Sequence, residues 1–141
     1  MIQVNEEGIA DLEKTLERLE KAASDLSEVW PKVGQWWRAR QLSIFASAGR
    51  GTWETLKAPR GSRGILIRTG ALRDAVSNPN PISASPTSAT FGANGRAGWY
   101  GMFHQSGTGG VPMREPILPL DGQDSDAVME IFAKHFEEAA K

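Results

Sequence analysis

Apolar residues near the N terminus recur at alternating intervals of three and four residues, and this spacing constrains the fold more than any other feature of the chain. It is the spacing of a coiled-coil seam, in which one stripe of a helix faces a neighbour. The seam consists of Ile9, Leu12, Leu16, Leu19, Ala23, Leu26 and Trp30. Pro31 ends the run, because proline disfavours helical geometry in the residue before it. The pattern predicts a helix over residues 6–29 whose leucines contact either their own domain's core or a neighbouring subunit.

Two more long helices are predicted. One is expected over residues 31–48, because proline suits the first turn of a helix. Its core side is predicted to carry Val33, Trp37 and Ile44. Arg40 is expected to fall elsewhere. The last helix is expected over residues 125–140, with Asp124 or Ser125 as its cap.

Short strands are expected between these helices. ILIR, residues 65–68, is typical of a strand, and Thr69 can cap a short helical turn after it. Two alternating segments around Pro86 predict a hairpin. The three prolines of residues 111–120 restrict any strand there to a sheet edge.

This order of elements predicts a single α+β domain over residues 1–141. Long N-terminal helices and a C-terminal helix would pack on a small antiparallel sheet. The helical arm would span residues 6–48. A flexible glycine- and arginine-rich loop, 49–64, would follow, anchored by Trp53.

Composition excludes several classes of protein. The chain has 141 residues and no cysteine, which removes disulfides, thiolate nucleophiles and cysteine zinc sites. No apolar run approaches the ~20 residues that span a bilayer. The N terminus lacks the pattern of a signal peptide. We therefore expect a soluble protein of a reducing cytoplasm, with no membrane contact.

Charge is segregated along the chain although the net charge is only −1. Residues 1–28 carry a net charge of −5, residues 29–73 a net charge of +8, and residues 121–141 a net charge of −4. Such asymmetry favours contacts with partners, including head-to-tail contacts between copies. The basic loop could also contact DNA phosphates or face a lumen without reading sequence. Its candidate residues are Arg50, Lys57, Arg60 and Arg63.

The stretch GWYGMFHQSGTGG, residues 98–110, holds His104, one of only two histidines. A small hydrolase centred on this histidine is one hypothesis, but Ser106 lies too close in sequence for ordinary serine–base geometry. No metal-ligand or cofactor-binding pattern is present. We expect an aromatic structural corner in which glycines allow a tight reversal, with no catalytic site, metal or cofactor.

Four segments then share an order that points to a family. They are TWETL (52–56), ILIRTGALRDAV (65–76), WYGMFHQSGTGG (99–110) and VPMREPILPL (111–120). Together they resemble the phage virion morphogenesis, or tail-completion, family. The matching positions are Trp53, Thr69, Gly70, Leu72, Tyr100, His104, Gln105, Gly107, Pro112, Arg114 and Pro116.

The resemblance implies a non-enzymatic neck protein that completes a phage or prophage tail and joins it to the head. It implies a ring, with six copies expected, located in the virion and assembled in the host cytoplasm. Partners would be head-closure or portal-side proteins and the tail terminator or tail tube. A tail-terminator or head-closure role is an alternative within the same region. A non-specific nucleic-acid-binding module is an alternative of another class.

Overall fold

The computed structural model describes residues 6–54, 66–67 and 70–141. Five helices and two short strands are found in this part of the chain. In chain order they are α1 (Glu6–Ser24), α2 (Trp30–Ala46), α3 (Ala71–Val76), β1 (Ser83–Ala84), β2 (Ala89–Thr90), α4 (Gly95–Ser106) and α5 (Gly122–Ala140). The predicted α+β class therefore holds only broadly, since the described chain is mainly helical and its sheet has two strands.

The first helix is shorter than predicted. It ends at Ser24, and the carboxylate of Asp25 accepts hydrogen bonds from the backbone and hydroxyl of Ser27. Such local side-chain bonds compete with helical ones. The expectation of one helix over 6–29 is wrong at its C-terminal end: Leu26 lies outside α1, and Trp30 begins α2.

The core forms where α2 meets the chain around Trp53 and α3. Ile44, Phe45, Trp53 and Val76 are buried together, and the rings of Phe45 and Trp53 meet edge to face at 5.2 Å. Val33 and Trp37 are also buried on α2, as predicted. The indole of Trp37 donates a 2.7 Å hydrogen bond to the carbonyl of Val76, which ties α2 to the end of α3.

Arg40 is buried, contrary to the expectation that it falls away from the core side. It lies seven residues after Val33, which places both on one face of a helix. Its guanidinium pairs with the carboxylate of Asp124 at 3.0 Å, and the residues are 5% and 4% exposed. The same guanidinium donates to the carbonyls of Leu118 and Pro119. The pair therefore joins α2 to the start of α5.

The start of α5 also differs from the prediction. The helix begins at Gly122, with Asp121 as its cap, rather than after Asp124 or Ser125. Asp121 and Asp124 form a capping box, in which each carboxylate accepts from the other residue's backbone N–H at 2.9 and 3.0 Å. This arrangement satisfies backbone donors that a helix start leaves open.

One predicted strand is absent among the described residues. Leu66 lies in a turn with a φ of 62°, and Ile67 belongs to no strand. Thr69 and the ends of the 65–68 segment lie outside the described residues. Residues 111–120 form no strand and bend at residues 116–117, in keeping with three prolines that remove ladder donors. The hairpin around Pro86 is confirmed, with strands β1 and β2 paired antiparallel.

The helices pack in the order α1, α5, α2, α3, α4. Helices α1 and α5 are antiparallel: Ala22 lies beside His135, and Arg18 lies beside Ala140 near the C terminus. The first turns of α1 therefore extend beyond the end of α5. None of the helices in the described ranges has the length and apolar character needed to cross a membrane.

Gly34 permits the closest backbone approach in the fold, and replacing it tests that packing. A Cβ on Gly34 would lie 1.9 Å from the carbonyl oxygen of Pro79. We expect Gly34→Ala to lower the free energy of unfolding by about 3 kcal/mol or more, since α2 must shift. Gly122→Ala, where a Cβ meets nothing within 4 Å, is the control and should be neutral or mildly stabilising. Equal urea midpoints for the two variants would contradict this packing.

The buried pair predicts a second loss of stability. Asp124→Asn should lower the free energy of unfolding by about 3 kcal/mol, because it leaves the Arg40 guanidinium buried without a counter-charge. Asp126→Asn, an exposed change on the same helix, should be nearly silent. Urea unfolding at neutral pH measures both.

The same pair sets an acid dependence. Burial alone raises the pKa of Asp124, but hydrogen bonds from Arg40 and the Asp121 amide, with the charges of Arg40 and Arg50, outweigh it and hold the pKa below its ordinary value. The carboxylate therefore stabilises the fold above the unfolded pKa of about 4, and this contribution is lost as pH falls through the folded pKa. The stability gap between wild type and Asp124→Asn should shrink on acidification. A stability gap that stays constant from pH 7 to about pH 3 would contradict this pH dependence.

Candidate functional site

Side chains from separate elements hold the segment of residues 111–120, which forms no strand. Gln105, on α4, makes a paired contact with the backbone of Ile117: its Nε2 donates to the carbonyl at 2.8 Å, and its Oε1 accepts from the amide at 3.1 Å. This amide–peptide pair replaces the strand neighbour that the segment lacks.

Two buried side chains also donate hydrogen bonds to the backbone of this segment. The indole of Trp53 donates to the carbonyl of Glu115 at 2.9 Å. The amide of Gln41, which is fully buried on α2, donates to the carbonyl of Pro116 at 2.9 Å. Neither Gln41 nor Arg40 was among the candidate residues, although both lie on the face of α2 that its apolar residues define.

Arg114 ties the segment back to two other places. Its backbone amide donates to the carbonyl of His104 at 2.9 Å, and its Nε donates to the carbonyl of Glu54 at 2.7 Å. Only 7% of Arg114 is exposed. The Arg114 guanidinium thus links the segment to the backbone at Glu54. Hydrogen bonds of the motif positions Trp53, Gln105 and Arg114 therefore meet in one part of the fold.

The aromatic stretch forms helix α4 rather than a corner. Gly107 ends the helix in the left-handed region, with a φ of 70°, as a C-cap glycine does. A Cβ on Gly101 would lie 3.1 Å from the side chain of Leu72, so this glycine allows α4 to pack on α3. Gly101 therefore permits close helix contact. The reversal was predicted at Gly107, Gly109 and Gly110, and all three have positive φ after the helix.

His104 has no catalytic partner among the described residues. Its Nδ1 is buried and accepts or donates no hydrogen bond there. Burial, and then the charge of Arg114, lowers the pKa of His104 below its ordinary value. Ser106 instead donates to the carbonyl of Met102 at 2.8 Å and bonds the hydroxyl of Thr108. A histidine–serine pair is not formed.

The other motif positions serve packing or turns. Gly70 caps α3 with a φ of 81°, and Leu72 packs against the core. Pro116 is buried, Pro112 is half-buried, and Tyr100 is exposed. Of the described ranges, none contains three or more acidic or histidine side chains placed to hold a metal ion.

The predicted basic site lies largely outside the described residues, because Lys57, Arg60 and Arg63 belong to 55–65. Arg50 is described, and its guanidinium pairs with Asp121 at 3.1 Å. This ion pair holds the Arg50 guanidinium at the start of α5. The turn that carries Arg50, residues 49–54, makes hydrogen bonds to Ser47 and Gly49, and the rest of the predicted loop, 55–64, lies outside the described residues.

The predicted leucine seam is divided by the structure. Leu19 is half-buried on the α5 side, whereas Leu12 and Leu16 are 58% and 55% exposed. Leu26 belongs to the turn after α1. One part of the seam thus packs internally, and another part has no cover among the described residues.

Comparison with models of known protein families, with curated proteins and with solved structures gave no match to this chain.

The Gln105 contact yields a prediction about the held segment. Gln105→Glu replaces the donor to Ile117 with a carboxylate that also approaches Glu115, whose oxygen lies 3.4 Å from the present amide. We expect a loss of about 2 kcal/mol in unfolding free energy. Gln35→Glu, an exposed change on α2, is the matched control. Indistinguishable urea midpoints for the two variants would show that the contact does not stabilise the segment.

Proposed function

We propose that this chain is a non-enzymatic structural protein of the neck of a tailed phage or prophage, where it completes the tail and joins it to the head. One observation carries the proposal beyond the sequence resemblance. The motif residues Trp53, Gln105 and Arg114, from separate segments, all act on residues 111–120 or on the turn that faces them. Because the polar groups of this motif make internal hydrogen bonds, we infer that the motif fixes the shape of a surface.

The surface that results is suited to contacts with other chains. Large apolar side chains remain exposed on α1, α4 and α5 and around residues 113–120. Monomeric proteins rarely leave large apolar patches uncovered unless they bind something. We propose that copies of the chain form a ring, with six subunits as the number implied by the resemblance, between portal-side and tail proteins. Head-closure and tail-terminator positions in the neck are alternatives that the experiment separates.

The nucleic-acid-binding alternative has less support. It would rest on Lys57, Arg60 and Arg63, because Arg50 is paired with Asp121. In the described residues, Arg73 also has an acidic neighbour, at 3.1 Å, in Asp74. Duplex binding at low salt that falls steeply as salt rises would support this alternative.

The neck role is tested by inactivating the gene in the genome that encodes the chain and inspecting the particles by electron microscopy. We expect DNA-filled heads and separate tails, with joined virions restored by the wild-type gene supplied in trans. Gold-labelled antibody against the chain should mark the head–tail junction, and its position distinguishes tail completion from head closure. Normal joined virions without the gene would refute the neck role.

Gln105→Glu and Gln35→Glu supply a matched pair for complementation. Because the former disturbs the held segment, we expect it to restore fewer joined virions than the latter when both are expressed at equal level. Equal restoration would contradict a role for the 111–120 segment in assembly.

A further inference from the structure

Two apolar surfaces of this chain lie at opposite ends of its packing order. The first is the α1 arm, residues 7–16, which extends beyond the end of α5. Every residue from 7 to 14 is exposed, and Ile9, Leu12 and Leu16 are 43%, 58% and 55% exposed. At 1.5 Å per residue the arm is about 15 Å long. A stripe of three aliphatic side chains therefore lacks cover from any described residue.

The charges of α1 are sorted around this stripe. Glu13 and Glu20 lie four residues after Ile9 and Leu16, so they lie beside the stripe. The bases Lys14, Arg18 and Lys21 fall on the opposite side of the helix, together with Glu7 and Asp11. The uncovered side of α1 is therefore both apolar and acidic.

The second surface is the α4 aromatic face, formed by Trp99, Tyr100, Met102 and Phe103. Trp99, Tyr100 and Met102 are 56%, 43% and 60% exposed. The ring of Trp99 meets that of Phe103 edge to face at 4.9 Å and lies 5.5 Å from that of Tyr100, which fixes the face in shape. Its charge comes from Arg96, whose Nε donates to the hydroxyl of Tyr100 at 2.8 Å.

We propose that the α1 arm of one copy docks on the α4 aromatic face of the next copy. The surfaces are complementary, since an apolar stripe edged by glutamates would meet an aromatic face that bears an arginine. They belong to the first and last helices of the packing order. Pairing between copies therefore covers both surfaces on every subunit and is head-to-tail, the arrangement that closes into rings.

The proposal deepens the ring assembly proposed above and rests on it for its biological role, but the contact itself belongs to the purified chain. A short helix covers less area than a standard interface, so one contact is weak and a ring gains from two contacts per subunit. We expect a micromolar dissociation constant for the open pair.

Cross-linking tests the pairing directly, because the chain has no cysteine of its own. Leu12→Cys and Met102→Cys are prepared in two full-length chains of different mass, mixed at about 100 µM and oxidised. We expect the mixed disulfide to exceed both symmetric disulfides. Replacing Met102→Cys by Gln123→Cys, an exposed site on α5, should reduce the mixed product to background. Predominant Leu12–Leu12 bonding, which means that two arms pair, or only background products would overturn the proposal.

Sedimentation of unlinked chains gives an independent readout. Leu12→Glu and Met102→Glu should each weaken self-association at least tenfold, since each places a charge in the covered area. Ala10→Glu adds the same charge to the other side of the same helix and should leave association unchanged. Circular dichroism of each variant shows whether it folds. Equal association of all three variants, or none of the wild type at about 100 µM, would count against the contact.

The two proposals can fail separately. If gene inactivation leaves virions joined while the mixed disulfide forms, the neck role is wrong and the arm contact stands. If inactivation separates heads from tails but Leu12→Glu complements fully and no mixed disulfide forms, the neck role stands and the arm contact is wrong.

Discussion

The buried ion pair between Arg40 and Asp124 is the contact on which the arrangement of helices depends. It joins the middle of α2 to the first turn of α5, and its guanidinium also holds the carbonyls of Leu118 and Pro119. A buried charge pair gives little net stability compared with apolar residues. Removing one partner, however, leaves the other charge buried and unpaired and strongly destabilises the fold. The pair therefore acts mainly by excluding other placements of α5. Because α1 packs on α5, the direction of the α1 arm depends on it as well.

The segment of residues 111–120 shows how irregular backbone is stabilised without a sheet. Its prolines cannot donate to a ladder, yet its remaining polar groups still need partners. Gln41, Trp53 and Gln105 supply them through their side chains. Each donor lies on or beside a rigid element, so the segment is fixed in one path. This explains why residues that resemble one motif are widely separated in sequence but adjacent in space.

Polar side chains of this fold make internal hydrogen bonds, whereas many large apolar side chains lie on its surface. The polar side chains that invite a catalytic interpretation, His104 and Ser106, are not paired with each other, and Ser106 bonds its own helix. Large exposed side chains instead concentrate on α1 and α4, helices at the two ends of the packing order. Interior hydrogen bonds fix the shape, and large apolar side chains remain exposed on the outer faces, which supports the assembly role proposed above.

The sequence by itself determined the elements that depend on local pattern. Helical spacing placed the start of α1, most of α2 and α5, and proline with small polar residues placed the hairpin, because these signals act between near neighbours. Leu12 and Trp53 were also identified from pattern alone. Only the tertiary structure decided that Arg40 is buried, that residues 98–106 are helical, and that Leu12 is uncovered while Leu19 is packed. Those outcomes depend on partners about 30 to 120 residues away: Asp124 neutralises Arg40, α3 accepts the glycine side of α4, and α5 ends before it reaches the arm.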